Sequence, residues 1–331
     1  MSKSATPNTK QVALIAGPTA SGKSDLAVEL ALALHRAGRT AVVINADSAQ
    51  VYADLQVLSA RPSEEEMRGV PHRLFGAWDG SQACSAADWA DAAKREIENA
   101  HLAGSVPILV GGTGLYIRTL LEGIAPVPPI DERVRDEVRA LPTQDLFAAV
   151  EREDAEAARR LAPKDTQRLA RALEVVRSSG KTLREWQGEK VGGIGDAITL
   201  APLVLLPERE WLYDRCDRRF VQMMDNGAVP EVERLLQRRL SPDLPVMRAI
   251  GVPQIAAFLR GDKTREEAIA RGQQLTRNYA KRQYTWLRHQ PPIEWCRMEP
   301  DNVSLKEQFA ILFQDYLLTR HIVPHSDTGG E

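Results

Sequence analysis

Eight residues near the start of the chain, Gly17-Pro18-Thr19-Ala20-Ser21-Gly22-Lys23-Ser24, match G-x-x-x-x-G-K-[ST] at every defined position. The chemistry of that spacing is anion binding. Glycines let the backbone curl until successive N–H groups point inward, and a helix opening at the end of the loop adds partial positive charge. Lys23 brings a full charge to a terminal phosphate, and the Ser24 hydroxyl is a natural Mg²⁺ ligand. A diphosphate or triphosphate ligand follows, but the reaction it enters does not. Most such loops serve phosphoryl transfer from ATP or nucleotide hydrolysis. The Asn-Lys-x-Asp motif that reads guanine in GTPases is absent from the sequence, whereas a small-molecule kinase stays open.

Two further patterns surround a potential ligand. Asp47, in Asn45-Ala46-Asp47-Ser48-Ala49-Gln50-Val51-Tyr52, follows an apolar run, and Gly111-Gly112-Thr113-Gly114 follows another. If both runs are parallel strands, their carboxyl ends open on one crevice and Asp47 faces the phosphate loop. A carboxylate there can hold Mg²⁺ or accept a proton from a nucleophile. Glycines around Thr113 permit close backbone approach to a ligand. A last pattern is basic. Residues 265–289 carry six lysines and arginines against two glutamates, and Arg277, Lys281, Tyr284 and Arg288 share the spacing of one helical face. Cations there can neutralise phosphates while Tyr284 offers a flat surface to a base. Lys164, Arg168 and Arg171 form a shorter stripe.

The elements that must position these residues are legible from periodicity. Residues 12–16, 41–44, 106–110 and 200–206 read as buried strands, and 23–36 and 85–101 as helices, with Leu26, Leu30 and Leu34 at helical spacing in the first. Strand, helix, strand is the unit of a parallel α/β sheet. Between the third and fourth strands, residues 126–190 open on a proline cluster and continue as charged helical sequence, an inserted helical subdomain. The expected division is a core of 11–125 and 191–322 with C-terminal helices, the insertion at 126–190, and disordered tails at 1–10 and 323–331. Hydrophobic residues at 43% and charged residues at 27% exclude global disorder. No apolar run is long enough to span a bilayer, the start is too polar for a secretory signal, and three scattered cysteines support neither disulfides nor zinc. A cytoplasmic protein without a membrane partner is expected. The net charge of −2 argues against a nucleic-acid partner only as an average over unlike segments.

GPTASGKS (17–24), INADSAQVY (44–52), GGTGLYIR (111–118), DTQRLARALEV (165–175), RAIGVPQ (248–254) and TRNYAKRQYTWLR (276–288), in that order, resemble the tRNA dimethylallyltransferase family, also called tRNA isopentenyltransferases, of the bacterial type. The resemblance covers about residues 12 to 290. It implies a P-loop NTPase-like α/β core with an inserted all-helical tRNA-binding subdomain. It also implies transfer of a dimethylallyl group from dimethylallyl diphosphate to N6 of the adenosine at position 37, beside the anticodon, in tRNAs reading codons that begin with U. The loop would then hold a leaving diphosphate, with Mg²⁺ as cofactor and Ser24 as its ligand. Asp47 would accept the N6 proton, Thr19 would contact the diphosphate, and Arg215 would complete the clamp, with Arg218 and Arg219 competing for that part. Residues implied to meet tRNA are Asp47, Ser48, Ala49, Gln50, Thr113, Arg135, Gln167, Arg168, Leu169, Ala170, Arg171, Arg248, Arg277, Lys281 and Arg282. The partners are the tRNA anticodon stem-loop and dimethylallyl diphosphate, and the enzyme is expected to be a monomer. Rival readings are a P-loop kinase, an isopentenyltransferase for free adenine nucleotides, and an RNA-binding NTP switch.

Overall fold

The structure, a computed structural model, describes residues 10–298. The tails expected to be disordered lie outside the described residues except for Lys10. The chain runs β1 (Gln11–Ala16), α1 (Lys23–Arg36), β2 (Ala41–Asn45), α2 (Glu64–Met67), β3 (His72–Arg73), α3 (Ala86–Leu102), β4 (Val106–Gly111) and α4 (Gly114–Glu122). Five helices follow: α5 (Glu132–Ala140), α6 (Thr143–Glu153), α7 (Ala155–Arg160), α8 (Thr166–Ser179) and α9 (Leu183–Gln187). The chain then forms β5 (Thr199–Leu205), α10 (Arg209–Asp225), α11 (Ala228–Gln237), α12 (Val252–Leu259), α13 (Arg265–His289) and β6 (Cys296–Met298).

All paired strands are parallel, in the order β3-β2-β4-β1-β5-β6. The four apolar runs form the centre of this sheet. They are buried because helices cover a parallel sheet, so each strand reads as a continuous apolar run. Leu26, Leu30 and Leu34 of α1 join Ile15, Val43, Ile108 and Leu203 in the sheet's core. Ser85 stands outside α3 as its N-cap, in a reciprocal capping box with Asp88, which moves the helix start one residue past the sequence expectation. The edge strands β3 and β6 escaped the sequence reading because two or three residues carry no periodicity.

Leu121–Ile194 form a second compact unit with its own core. Val138, Leu146, Val150, Leu169 and Leu173 pack together there, and the single antiparallel bridge Ile124–Val191 ties its two ends.

Because every strand points the same way, Ala16, Asn45, Gly111 and Leu205 end on one edge. There the chain segments touch. Gly17 N–H donates to the Gly111 carbonyl (3.1 Å), and Thr113 N–H donates to the Ala46 carbonyl (3.2 Å). A Cβ on Gly111 would lie 2.1 Å from that same Ala46 oxygen, a backbone atom with nowhere to retreat. Gly111→Ala is therefore expected to destabilise the fold by about 1–3 kcal/mol, as overpacking does. A lowered urea midpoint at unchanged slope is the measurement.

Candidate active site

The phosphate loop has the backbone of an anion cradle. Gly22 (φ 86°) and Ala20 (φ 63°) are both left-handed, and α1 begins at Lys23 with no side-chain cap on its first turn. The helix N-terminus therefore stays available to a ligand. Lys23 is 7% exposed, and its Nζ donates to the Pro18 carbonyl (3.3 Å), across the loop. Burial lowers its pKa below the ordinary lysine value, against the opposing pull of Asp47; Arg219 lowers it further. Ser21 Oγ is buried without a partner.

Asp47 is 6% exposed and held by three bonds. Its N–H donates to Asn45 Oδ1 (2.9 Å), its carbonyl accepts from Asn45 Nδ2 (3.0 Å), and its Oδ1 accepts from Ala49 N–H (3.0 Å). Asn45 is in turn anchored by Trp89, whose Nε1 donates to the Asn45 carbonyl (2.8 Å) while its ring stacks on Tyr116 at 4.6 Å. The carboxylate is thus aimed by one oxygen. Oδ2 has no hydrogen-bond partner among the described residues and is the oxygen left for chemistry.

Two cavities meet at this residue. One, of about 390 Å³, is lined by the loop from Thr19 to Asp25 with Asp47, Gln50, Ser59, Glu66, Arg215, Arg218, Arg219 and Gln222. The other, of about 310 Å³, is largely apolar and aromatic, with Tyr52, Leu55, Leu58, Tyr116, Phe220, Met223, Ile250 and Tyr279 among its walls. Thr19, Ala20, Asp47, Ser59 and Arg219 line both. A charged phosphate end and an apolar or planar group can therefore lie on either side of Asp47.

The three arginines of α10 that compete for the diphosphate clamp differ. Arg218 is exposed and ion-paired with Asp214 (2.7 Å). Arg215 lines the first cavity and lies over the Trp211 ring at 4.7 Å. Arg219 reaches the junction, and burial lowers its pKa. Between Lys23 and these arginines sits Cys216, whose thiol burial pushes up to about 11, so it is protonated and unsuited to nucleophilic work.

Residues expected to meet tRNA fall into two groups. Ser48, Ala49, Arg248 and Arg282 line the second cavity, with Arg282 stacked over Tyr279 (5.7 Å), and Lys281 is exposed. Thr113 Oγ1 accepts from Ser48 N–H (3.0 Å). Gln50 instead points inward, its amide donating to the Ser59 (3.1 Å) and Ala60 (2.9 Å) carbonyls. On the basic face of α13, Lys281 and Arg288 are exposed, whereas two residues are covered. Arg277 is locked to Asp217 (2.6 Å), and Tyr284 is 7% exposed beneath Arg209 (4.8 Å). The helix packs against α10 on that side, so Tyr284 cannot offer its face to a base. In the second unit, Gln167, Arg168 and Arg171 are exposed on α8, Ala170 is half-buried, and Arg135 is half-buried with Nε unpartnered. Leu169 is fully buried in that unit's core, because α8 turns Leu169, Ala172 and Leu173 to one face. Its side chain is therefore packing and not an RNA contact.

Sequence reasoning assigns no role to two positions that shape the site. Asn45 is one. Glu231 of α11 is the other: its buried carboxylate accepts from the successive N–H groups of Gln56 (2.6 Å), Val57 (2.7 Å) and Leu58 (2.9 Å). It thereby fixes the segment that carries Leu58, Ser59 and Ala60 into the cavities. Glu231→Ala leaves three amides short of an acceptor, and a loss of about 2–4 kcal/mol is expected from chemical denaturation.

Residues 50–290 match the model of the IPP transferase family. The chain is 68% identical over 303 residues to a tRNA dimethylallyltransferase of Erythrobacter litoralis, covering 92% of this chain and 96% of that protein. It is 69% identical over 265 residues to one of Novosphingobium aromaticivorans, covering 80% and 94%. Among solved structures it is similar to the tRNA isopentenylpyrophosphate transferase of Bacillus halodurans, at 33% identity and TM-score 0.67 over 95% of this chain and 98% of that one. A eukaryotic dimethylallyltransferase acting on tRNA matches at 28% identity and TM-score 0.70, over 84% and 69%. A glycine-built phosphate cradle, a carboxylate at the junction of two cavities and likeness along nearly its whole described length agree, and the chain belongs to the IPP transferase family.

Proposed function

We propose that the protein transfers a dimethylallyl group from dimethylallyl diphosphate to N6 of the adenosine at position 37, 3′ to the anticodon, in tRNAs reading codons that begin with U. The observation that carries this reading is Asp47 at the junction, with one oxygen tied to Ala49 and the other open. The diphosphate lies in the cavity of Lys23, Arg215 and Arg219, and the adenine, turned out of its stack, enters the cavity of Tyr52, Tyr116 and Tyr279.

The N6 lone pair attacks the allylic carbon, the carbon–oxygen bond breaks, and its electron pair leaves on the diphosphate. The N6 proton passes to Asp47 Oδ2. Loop amides, Lys23 and the arginines stabilise charge as it builds on the leaving group, which is where preorganised donors act most strongly. The donor set also suits Mg²⁺, a hard cation that takes few protein oxygens beside substrate phosphates: the Ser24 hydroxyl lines the same cavity and would hold it. When bound, Mg²⁺ would neutralise diphosphate charge there.

The test is incubation with dimethylallyl diphosphate, Mg²⁺ and unmodified tRNA, followed by mass spectrometry of nucleosides. N6-dimethylallyladenosine is the expected product. ATP consumption without it would establish the kinase reading instead.

A further inference from the structure

One face of α13 meets the site at three points, through residues spaced i, i+4 and i+7. The Tyr279 hydroxyl lies beside Thr113 and Ser48, Gln283 reaches the phosphate loop, and the Trp286 ring lies where a Cβ on Gly114 would be, 2.3 Å away. The middle contact spans the longest distance in sequence. Gln283 is 5% exposed, and its Oε1 accepts from Thr19 N–H at 2.8 Å across 264 residues. That bond fixes which end of the amide is which, because the Thr19 amide can only donate. Gln283 Nε2 is therefore the inner end, buried without a partner. A Cβ on Gly112 would sit 2.4 Å from this Nε2 and 2.5 Å from the Gly17 carbonyl, so Gly112 is the residue that leaves room for the amide between β4 and the loop.

A buried amide with one unsatisfied end is an expensive way to fill a core, and an apolar side chain of similar volume would avoid that penalty. The bond to Thr19 gives it a purpose. Thr19 lies at the tip of the loop, next to left-handed Ala20, and both line the two cavities. We infer that Gln283 is a positioning residue for the transfer reaction: acting through the Thr19 amide, it holds the tip of the phosphate loop in the shape that receives the diphosphate. Gln283 lines neither cavity, so it acts on the ligand only through the loop. The inference rests on the proposed reading of the site for its reaction, but not for its test.

The probe is inorganic diphosphate with Mg²⁺, whose binding is measured by calorimetry without any turnover. In Gln283→Met, which keeps the volume and loses the acceptor, diphosphate affinity is expected to fall about tenfold, the equivalent of one buried hydrogen bond, with tRNA affinity unchanged. In transfer assays the loss appears in KM for the allylic diphosphate and not in KM for tRNA. Equal weakening of both ligands would mark a merely structural role and overturn the inference, as would parental diphosphate affinity. Amide hydrogen exchange on the unsubstituted protein needs no variant: Thr19 N–H is expected to be protected, and exchange at the rate of a solvent-exposed amide would overturn the inference too. If the unsubstituted protein makes no prenylated tRNA, the proposed reaction fails while the diphosphate and exchange results still decide the role of Gln283.

Discussion

Asp47→Asn is expected to slow single-turnover transfer by at least about 10²-fold, the ordinary effect of losing a general base, while tRNA affinity stays close to that of the unsubstituted protein. The substitution is clean for structural reasons. An Asn side chain keeps an oxygen for the Ala49 amide, and the two bonds from Asn45 go to backbone atoms of residue 47 that do not change. The turn survives, and only the open oxygen loses its charge and its capacity to take a proton. Near-parental single-turnover rates would remove Asp47 from the chemistry and leave it a turn residue.

Lys23→Met is expected to lower kcat/KM for dimethylallyl diphosphate by about 10²–10³-fold, as removal of one preorganised donor to a developing oxyanion does. Its effect on stability has the opposite sign. Lys23 is buried, and its pKa is lowered on folding, so between the folded value and the ordinary one near 10.5 the unfolded chain binds more protons. In that window the empty protein gains stability as pH rises, and below it the penalty for burying the ammonium is fully present. Methionine removes the penalty, so Lys23→Met should unfold at or above the parental temperature while losing activity. Diphosphate binds the protonated form, and its affinity should fall as pH rises through the same window; in Lys23→Met that dependence should disappear. Calorimetry over the pH range below 10.5 measures both.

What could be read in advance, and what could not, follows from how far apart the interacting residues lie. Gly17 to Ser24 announce a cradle by their own spacing, and Asp47 is placed by a strand that ends two residues earlier, so both were legible from consecutive residues. The arginines of α10 were not separable. Their partners are Trp211, Asp214 and the distant loop, and only packing decides that Arg219 reaches the junction while Arg215 and Arg218 line the first cavity alone. The stripe on α13 misled for a related reason. Spacing says which residues share a face but not which neighbour covers it, and α10 covers Arg277 and Tyr284. Glu231 and Gln283 act on segments more than 170 and 260 residues away; nothing local distinguishes Glu231 from a surface glutamate, and the 276–288 motif contains Gln283 without showing what it meets.

The pairing of β1 has a consequence for how the chain comes to fold. β1 sits between β4 and β5, its Leu14 beside Leu109 on one side and beside Pro202 on the other. On a ribosome, the strand that leads into the phosphate loop is made before both of its partners, with one edge bare until residue 205 has emerged. Residues 121–194 are synthesised inside that interval, and their contacts are local enough to form at once. The order of assembly is therefore set by sequence separation: the helical unit can finish while the sheet is still open. β1 precedes all its partners and is among the last of the described strands to be sealed, and until then its unpaired edge is open to wrong partners.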